Sequence, residues 1–158
     1  MPKVDLTTLP LNTGSGYPAP YDTEMQGRSS IRVGDAGGLT QFGANIVILE
    51  PGAKSSLRHW HEQQDEFVTV LQGACTLLED DGPTILTAGD CATFKAGEAN
   101  GHCITNHTDQ EARFLVIGTR TPSETAWYSD IDMMVRVENN NFHFTRKDGS
   151  PLKGETND

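Results

Sequence analysis

The residues best suited to chemistry are two histidines separated by one residue and followed by a glutamate: His59, His61 and Glu66. Alternate side chains of a β-strand share a face, so His59 and His61 would point the same way while Trp60 points opposite. Two imidazoles directed to one point from a single strand can bind the same metal ion. This spacing predicts part of a metal site.

Glu66 begins the next apolar run after a short break and shares a strand face with Val68 and Val70. An ionised carboxylate buried among valines is costly unless a cation or several hydrogen-bond donors compensate for its charge. A metal ion would be such a cation. Asp65 is the neighbouring alternative, but strand alternation places its side chain with Phe67, on the opposite face.

A fourth ligand must come from another strand, and His102, at the head of the segment GHCITN, is the predicted one. Three histidines and one glutamate leave one or two positions open on a five- or six-coordinate ion, which suits water or a substrate. Such ligands favour a divalent transition metal (Mn, Fe, Co, Ni, Cu or Zn) over Ca or Mg. The predicted metal site is therefore His59, His61, Glu66 and His102. This set of ligands does not distinguish among these metals.

The remaining histidines and the cysteines are expected to have ordinary roles. His107 follows the predicted end of its strand, and His143 alternates with two phenylalanines and should face water. The three cysteines are an odd number without C-x-x-C spacing, which argues against a disulfide framework or a zinc knuckle.

The elements that must position these ligands are short strands. Between about residues 43 and 120, eight apolar runs are separated by Gly, Pro, Asp and Asn, a pattern typical of strands joined by turns. A chain of 158 residues suits one domain with its own core. We therefore expect an all-β protein built as an antiparallel double sheet or jelly-roll barrel, a fold that can enclose a cavity.

The two ends of the chain differ from this central domain, which we place at residues 31–121. Residues 1–30 are rich in Pro, Gly, Ser and Thr and are expected to form an extended arm. Residues 122–158 are expected to pack on the barrel, with a short helical turn near Trp127 and a hairpin that turns at Asn139, Asn140 and Asn141. The last residues should be disordered.

The charge of the chain argues against some classes of partner. Twelve basic residues against 22 acidic ones give a formal net charge of −10, which would repel nucleic acid. No basic run, membrane-spanning stretch or signal peptide is evident, so we expect no membrane partner and a cytoplasmic location. Outward apolar side chains such as Leu71, together with the arm, predict a homodimer.

The ligand residues and their flanking glycines resemble the two motifs of the cupin superfamily. The first motif is matched by Gly52, His59, His61, Glu66 and Gly73, and the second by Gly89, Gly97, His102 and Asn106. This sequence departs from the family pattern at Lys95, where the family has proline. It also has six residues before His59 instead of five and four residues between Gly97 and His102 instead of two.

The resemblance implies a double-stranded β-helix, the cupin barrel, and a small single-domain bacterial member of the family. Further sequence segments, such as PYDTEMQGRSS and FTRKDG, are similar to those of a bacterial subgroup of cupins loosely described as sugar-binding. The implied ligand is thus a small oxygen-rich molecule such as a sugar, a uronate or a hydroxy acid.

Two classes of function are consistent with an open-sided metal site of this kind. The first is a metal-dependent isomerase, epimerase or lyase, since such an ion polarises carbonyls and acidifies hydroxyls; an Fe(II)-dependent dioxygenase is the oxidative variant. The second is a non-catalytic sugar-binding or sensing module. The sequence does not identify a general acid or base, although Lys95 and Glu98 are candidates.

Overall fold

The computed structural model describes residues 2–153, and most of them lie in short strands or the turns between them. Helical structure is limited to two 3₁₀ turns, Leu6–Thr8 and Tyr21–Met25, and one α-helix, Val33–Ala36 (α1). The strands are Arg28–Arg32 (β1), Phe42–Leu49 (β2), His59–His61 (β3), Glu66–Gln72 (β4), Ala74–Glu79 (β5), Gly82–Thr87 (β6), Cys91–Phe94 (β7), Cys103–Thr105 (β8), Ala112–Thr119 (β9), Ser123–Tyr128 (β10), Met134–Glu138 (β11) and Asn141–Thr145 (β12).

These strands form three antiparallel sheets. The largest has the order β1-β2-β9-β4-β7, the second β12-β11-β10-β3 and the third β6-β5-β8. An isolated bridge between His59 and His102 joins the second sheet to the residue preceding β8 of the third, so that these two sheets act as one layer. The first sheet forms the other layer. The predicted all-β, antiparallel double-sheet fold is confirmed.

The core lies between the layers and follows from strand alternation. Val47 of β2 pairs with Phe114 of β9, which in turn pairs with Val70 of β4, and each of the three side chains is 2% exposed. Burying an apolar side chain of this size contributes about 1.5–3 kcal/mol. Because successive residues point to opposite faces, a whole row from each strand enters this core.

A second buried cluster fastens both ends of the chain to the barrel. Met25 from the N-terminal region packs with Leu57, which precedes β3, and with Tyr128 and Met133 from the C-terminal region. Asn12 also forms a bridge to Ser30 of β1. The N-terminal segment therefore packs against the barrel, and its final three residues already belong to β1 rather than to an arm.

The predicted helical turn near Trp127 is wrong. Trp127 lies in β10, where it pairs with Trp60 of β3 on one side and with Met134 of β11 on the other. The reason is the two-residue alternation of the segment, which buries Glu124, Ala126 and Tyr128 and so suits a strand between two neighbours.

The predicted hairpin near the C-terminus is confirmed. β11 and β12 pair on either side of Asn139 and Asn140, whose φ angles of 48° and 66° are tolerated by asparagine and suit a tight hairpin turn. Leu152 packs against the second cluster, so order extends into the predicted disordered end. The remainder of that predicted disorder, residues 154–158, lies outside the described residues.

The outer surface carries some apolar side chains, among them Leu71 at 48% and Ile85 at 72% exposure. The homodimer expected from such residues stays a prediction. Within residues 2–153 no helix has the length and apolar character needed to cross a membrane.

One prediction concerns the motif glycine between β4 and β5. A Cβ added to Gly73, whose φ is +74°, would lie 2.7 Å from the backbone oxygen of Glu111, whereas one at Gly52, with φ +85°, would meet nothing within 4 Å. Gly52→Ala should therefore cost only the left-handed strain, about 1–2 kcal/mol. Gly73→Ala adds a backbone clash and should cost about 2–4 kcal/mol in urea unfolding. Equal costs would contradict this account.

Candidate metal site within the barrel

Strand β3 directs two histidines into the barrel. It pairs with β10 in the register His61 with Ala126, Trp60 with Trp127 and His59 with Tyr128. Trp60 faces the other way and stacks on Trp127, with ring centroids 6.2 Å apart. This stacking covers the outer side of a strand only three residues long. The opposite side is left to His59 and His61, as alternation predicts.

The opposite layer supplies the carboxylate. Glu66 is the first residue of β4, shares its inward face with Val68 and Val70, and pairs with Gly118 of β9. His59, His61 and Glu66 each offer a ligand atom, and these atoms all lie within 4.8 Å of one another. The structure thus brings together three residues that the sequence selected.

His102 joins this group from the other side. Its backbone exchanges two hydrogen bonds with His59: His59 N–H donates to the His102 carbonyl at 3.1 Å, and His102 N–H donates to the His59 carbonyl at 2.9 Å. The ring stacks on Phe94, with centroids 3.6 Å apart. His102 Nε2 lies 3.2 Å from Glu66 Oε2. The lengthened loop before His102 therefore leaves its Nε2 in contact with Glu66, although His102 is not one of the three residues whose ligand atoms all lie within 4.8 Å of one another.

The spacing of the facing atoms can be compared with that of ligands on a single ion. His59 Nε2 lies 3.1 Å from His61 Nε2, and Glu66 Oε2 lies 3.4 Å from His61 Nε2. Two ligands about 2.1 Å from one metal ion are separated by about 3.0 Å at a right angle and about 3.4 Å at the tetrahedral angle. The donor atoms of these two pairs are therefore spaced as ligands of one ion would be.

The protonation of His59 also suits a metal ligand. Its Nδ1 lies 2.7 Å from the Leu57 carbonyl, which accepts the ring hydrogen and leaves the Nε2 lone pair facing the group. Burial, together with the charges of His61 and His102, lowers the pKa of His59 to about 4. A neutral ring with Nε2 free is the form that binds a metal.

Glu66 is held in its ionised form. Burial alone would raise the pKa of this carboxyl, but hydrogen bonds from His102 and His61 outweigh it and hold the pKa below its ordinary value. The site thus combines neutral and anionic ligands, the donor set of a divalent transition ion.

Sequence reasoning missed Glu124, a buried carboxylate behind this group. Its oxygens accept backbone hydrogen bonds from Glu62 and Gln63 at 3.0 Å and from Thr125 at 2.7 Å. Its Oε2 also lies 3.9 Å from His61 Nδ1, an atom that is buried without a hydrogen-bond partner within residues 2–153. The signal was present as an inward position of β10, but only the pairing of β10 with β3 shows what lies beside it.

The group opens into a cavity of about 360 Å³, a size usual for small-molecule sites. Apolar residues Val47, Val68 and Phe114 form part of its wall. Polar and charged side chains form much of the rest, namely Arg28, Asn45, Ser55, Ser56, Gln64, Asp65, Thr119 and Arg120. A small polar molecule with several oxygens would find hydrogen-bonding groups on several sides.

The acid–base candidates Lys95 and Glu98 do not line this cavity. They border a smaller recess beside His61 and His102. The titratable carboxylate that lines the main cavity outside the group is Asp65, whose Oδ1 accepts a hydrogen bond from Ala96 N–H at 2.8 Å. His107 and His143 are both exposed.

A family model described as the Cupin domain matches residues 45–118. A Silicibacter pomeroyi protein described as a sugar phosphate isomerase from a cupin superfamily has 59% identity and a TM-score of 0.95, covering 97% of this chain and 98% of its own.

Two other structures are similar at greater distance. One from Acidithiobacillus ferrooxidans, described as a putative sugar phosphate isomerase, shows 27% identity and a TM-score of 0.73, covering 81% of each chain. The polyketide cyclase RemF of Streptomyces resistomycificus shares 20% identity with a TM-score of 0.62, covering 75% of this chain and 79% of its own, and indicates the fold alone. No curated protein matches the chain.

Glu124 provides a test of this site's architecture. Glu124→Ala removes the acceptor of three backbone N–H groups, so it should lower the free energy of unfolding by about 2–4 kcal/mol in urea titration. Glu138→Ala is the matched control, because Glu138 is an exposed glutamate on β11, and it should cost less than about 0.5 kcal/mol. Equal effects of the two substitutions would show that Glu124 does not stabilise the backbone at Glu62 and Gln63.

Proposed function

We propose that this chain, which belongs to the cupin superfamily, is a sugar phosphate isomerase. In this proposal its divalent metal ion is held by His59, His61, Glu66 and His102. The observation that carries this proposal is the convergence of these four side chains on one polar cavity. The substrate class is supported by the two similar proteins described as sugar phosphate isomerases.

The ligand residues have divided roles in this proposal. The Leu57 carbonyl holds the His59 ring with Nε2 toward the cavity, and Phe94 holds the His102 ring by stacking. Such outer contacts orient ligands and preserve their tautomers. When bound, a divalent ion would supply a Lewis acid for a sugar carbonyl and its neighbouring hydroxyl.

The cavity walls would orient the sugar. Asn45 and Ser56 from opposite layers can hydrogen-bond to sugar hydroxyls, while Val47, Val68 and Phe114 cover the apolar faces of the carbon chain and limit the entry of water. Fixing a substrate in this way lowers the entropy cost of the reaction. An aldose–ketose isomerisation needs no external oxidant, because it moves hydrogen within one molecule.

Asp65 is the side chain that we assign to proton transfer. It precedes β4, so strand alternation does not hold it on the face of Phe67 as the sequence suggested. It is exposed and borders both the main cavity and the recess beside Phe67. Its Oδ1 is engaged by Ala96 N–H, while its Oδ2 makes no hydrogen bond to residues 2–153. That oxygen can accept a proton from the carbon next to the carbonyl and return it to the carbonyl carbon, while the proton of the neighbouring hydroxyl passes to the carbonyl oxygen. A carboxylate held by one fixed donor, with its other oxygen available, is suited to this exchange.

The metal assignment is tested by His61→Ala. Loss of one ligand should reduce bound metal, measured by elemental analysis of protein purified without chelator, by tenfold or more. The barrel should stay folded, because the apolar strand faces are unchanged. His143→Ala, which removes an exposed histidine on β12, is the control and should keep the metal content of the unmodified protein. Equal metal content in the two variants would contradict the site.

Turnover tests the activity. Metal-loaded protein incubated with a panel of aldose phosphates in D₂O should convert one of them to the ketose phosphate and incorporate deuterium next to the carbonyl, as followed by NMR. Unphosphorylated aldoses should react far more slowly. If every sugar phosphate is bound but returned unchanged and without deuterium, the protein is a sugar-binding module and the isomerase proposal fails.

Asp65→Asn sharpens the same assay. It should keep its full metal content but lower kcat by roughly a hundredfold or more, since general acid–base catalysis contributes on that scale. An unchanged kcat would show that a group other than Asp65 transfers the proton.

A further inference from the structure

Arg28 is the first residue of β1, an edge strand of the first sheet. It pairs with Leu49, and its neighbour on the same strand face, Ser30, pairs with Val47 of the core. Directly paired residues of antiparallel strands share a face, so the Arg28 side chain belongs to the inner face of the barrel. It accordingly lines the same cavity as His59, Glu66 and His102.

The guanidinium of Arg28 has no partner within residues 2–153. Its Nε is buried and makes no hydrogen bond. Asp22 and Glu50 lie along a second cavity that Arg28 also lines, but neither forms an ion pair with it. Burial lowers the pKa of Arg28, and the charge of Arg32 acts in the same direction, while Tyr17 opposes it.

Other arginines show that this chain normally matches such charges. Arg58, Arg113, Arg120 and Arg146 each form an ion pair. Arg120, the second arginine of the cavity wall, pairs with Asp35 and also donates to the Leu39 carbonyl. Arg32 and Arg136 form none within the described chain, but both are exposed to water. Arg28 alone among the seven is both partly buried and unmatched there.

An unmatched cation facing a cavity is costly unless something else supplies the anion. A guanidinium presents N–H donors in a planar fork that fits two oxygens of a phosphate or a carboxylate. The metal site would hold the carbonyl end of a substrate. Arg28 offers a second, positively charged anchoring point in the same cavity, one that suits an anion.

We propose that Arg28 binds the oxyanion at the non-reacting end of the substrate, a phosphate ester or a carboxylate, and so selects anionic sugars over neutral ones. This inference rests on the proposed function in placing the reacting end at the His59, His61, Glu66 and His102 group. Binding of the anion by Arg28 requires no turnover, and the two can be tested apart.

The test uses the as-purified protein with the variants Arg28→Gln and Arg28→Lys. Arg136→Gln is the control, because it removes the same charge from an exposed position on β11. Isothermal titration is carried out with inorganic phosphate and with three probes of one carbon chain: glucose 6-phosphate, glucuronate and glucose. Arg28→Gln should weaken binding of the anionic probes by roughly ten- to a hundredfold. The affinity of Arg28→Lys for the anionic probes should lie between those of Arg28→Gln and the unmodified protein, because lysine keeps the positive charge but lacks the planar fork of donors.

The pattern of losses identifies the anion. A loss confined to inorganic phosphate and glucose 6-phosphate supports a phosphate ester, and a loss confined to glucuronate supports a carboxylate. Binding of the neutral sugar should be unchanged in each variant. The proposal is overturned if unmodified protein binds no anionic probe, if Arg28→Gln binds the anions as well as Arg136→Gln, or if it loses neutral and anionic probes alike.

Thermal unfolding without ligand separates this role from a structural one. Removing an unmatched, partly buried charge should leave the Tm of Arg28→Gln equal to or above that of the unmodified protein, whereas a structural arginine would lower it. Absence of isomerase activity with intact Arg28-dependent anion binding would refute the proposed function and leave this inference standing. Isomerase activity with an unchanged KM in Arg28→Gln would do the reverse.

Discussion

The reciprocal backbone hydrogen bonds between His59 and His102 are the contact on which the rest of the site depends. They join two sheets into one layer and align the side chains of two strands that are far apart in the sequence. β3 is only three residues long and is held on its other edge by β10. A one-residue slip of such a strand would turn His59 and His61 outward and bring Trp60 inward.

The barrel interior contains groups that the chain does not match by itself. The Nε2 atoms of His59 and His61 face each other, and Glu66 Oε2 lies near Nε2 of His61 and of His102. The buried Nδ1 atoms of His61 and His102 lack partners within the described residues. Buried polar groups are normally satisfied, so clusters of exceptions deserve a functional reason. A cation would match the ligand group, and the anion of a substrate would match Arg28. The fold tolerates both because the apolar core beneath them supplies the stability.

Local patterns were sufficient for the strands and for the ligand group, but not for what surrounds it. His59, His61 and Glu66 could be predicted because alternation and apolar neighbours are encoded within a few residues. Trp127 was assigned to a helical turn, because its place in β10 depends on pairing with strands before and after it. Glu124 and Arg28 were missed for the same reason. Their importance comes from register against distant strands, which a single sequence does not show.

We propose that one divalent transition ion is bound by three imidazole nitrogens and one carboxylate oxygen. X-ray absorption spectroscopy of protein purified without chelator, combined with anomalous diffraction from its crystals, tests this directly. One ion is expected between His59, His61, Glu66 and His102, with nitrogen and oxygen ligands at about 2.0–2.2 Å. Metal absent from that position, or bound through cysteine sulfur, would contradict it.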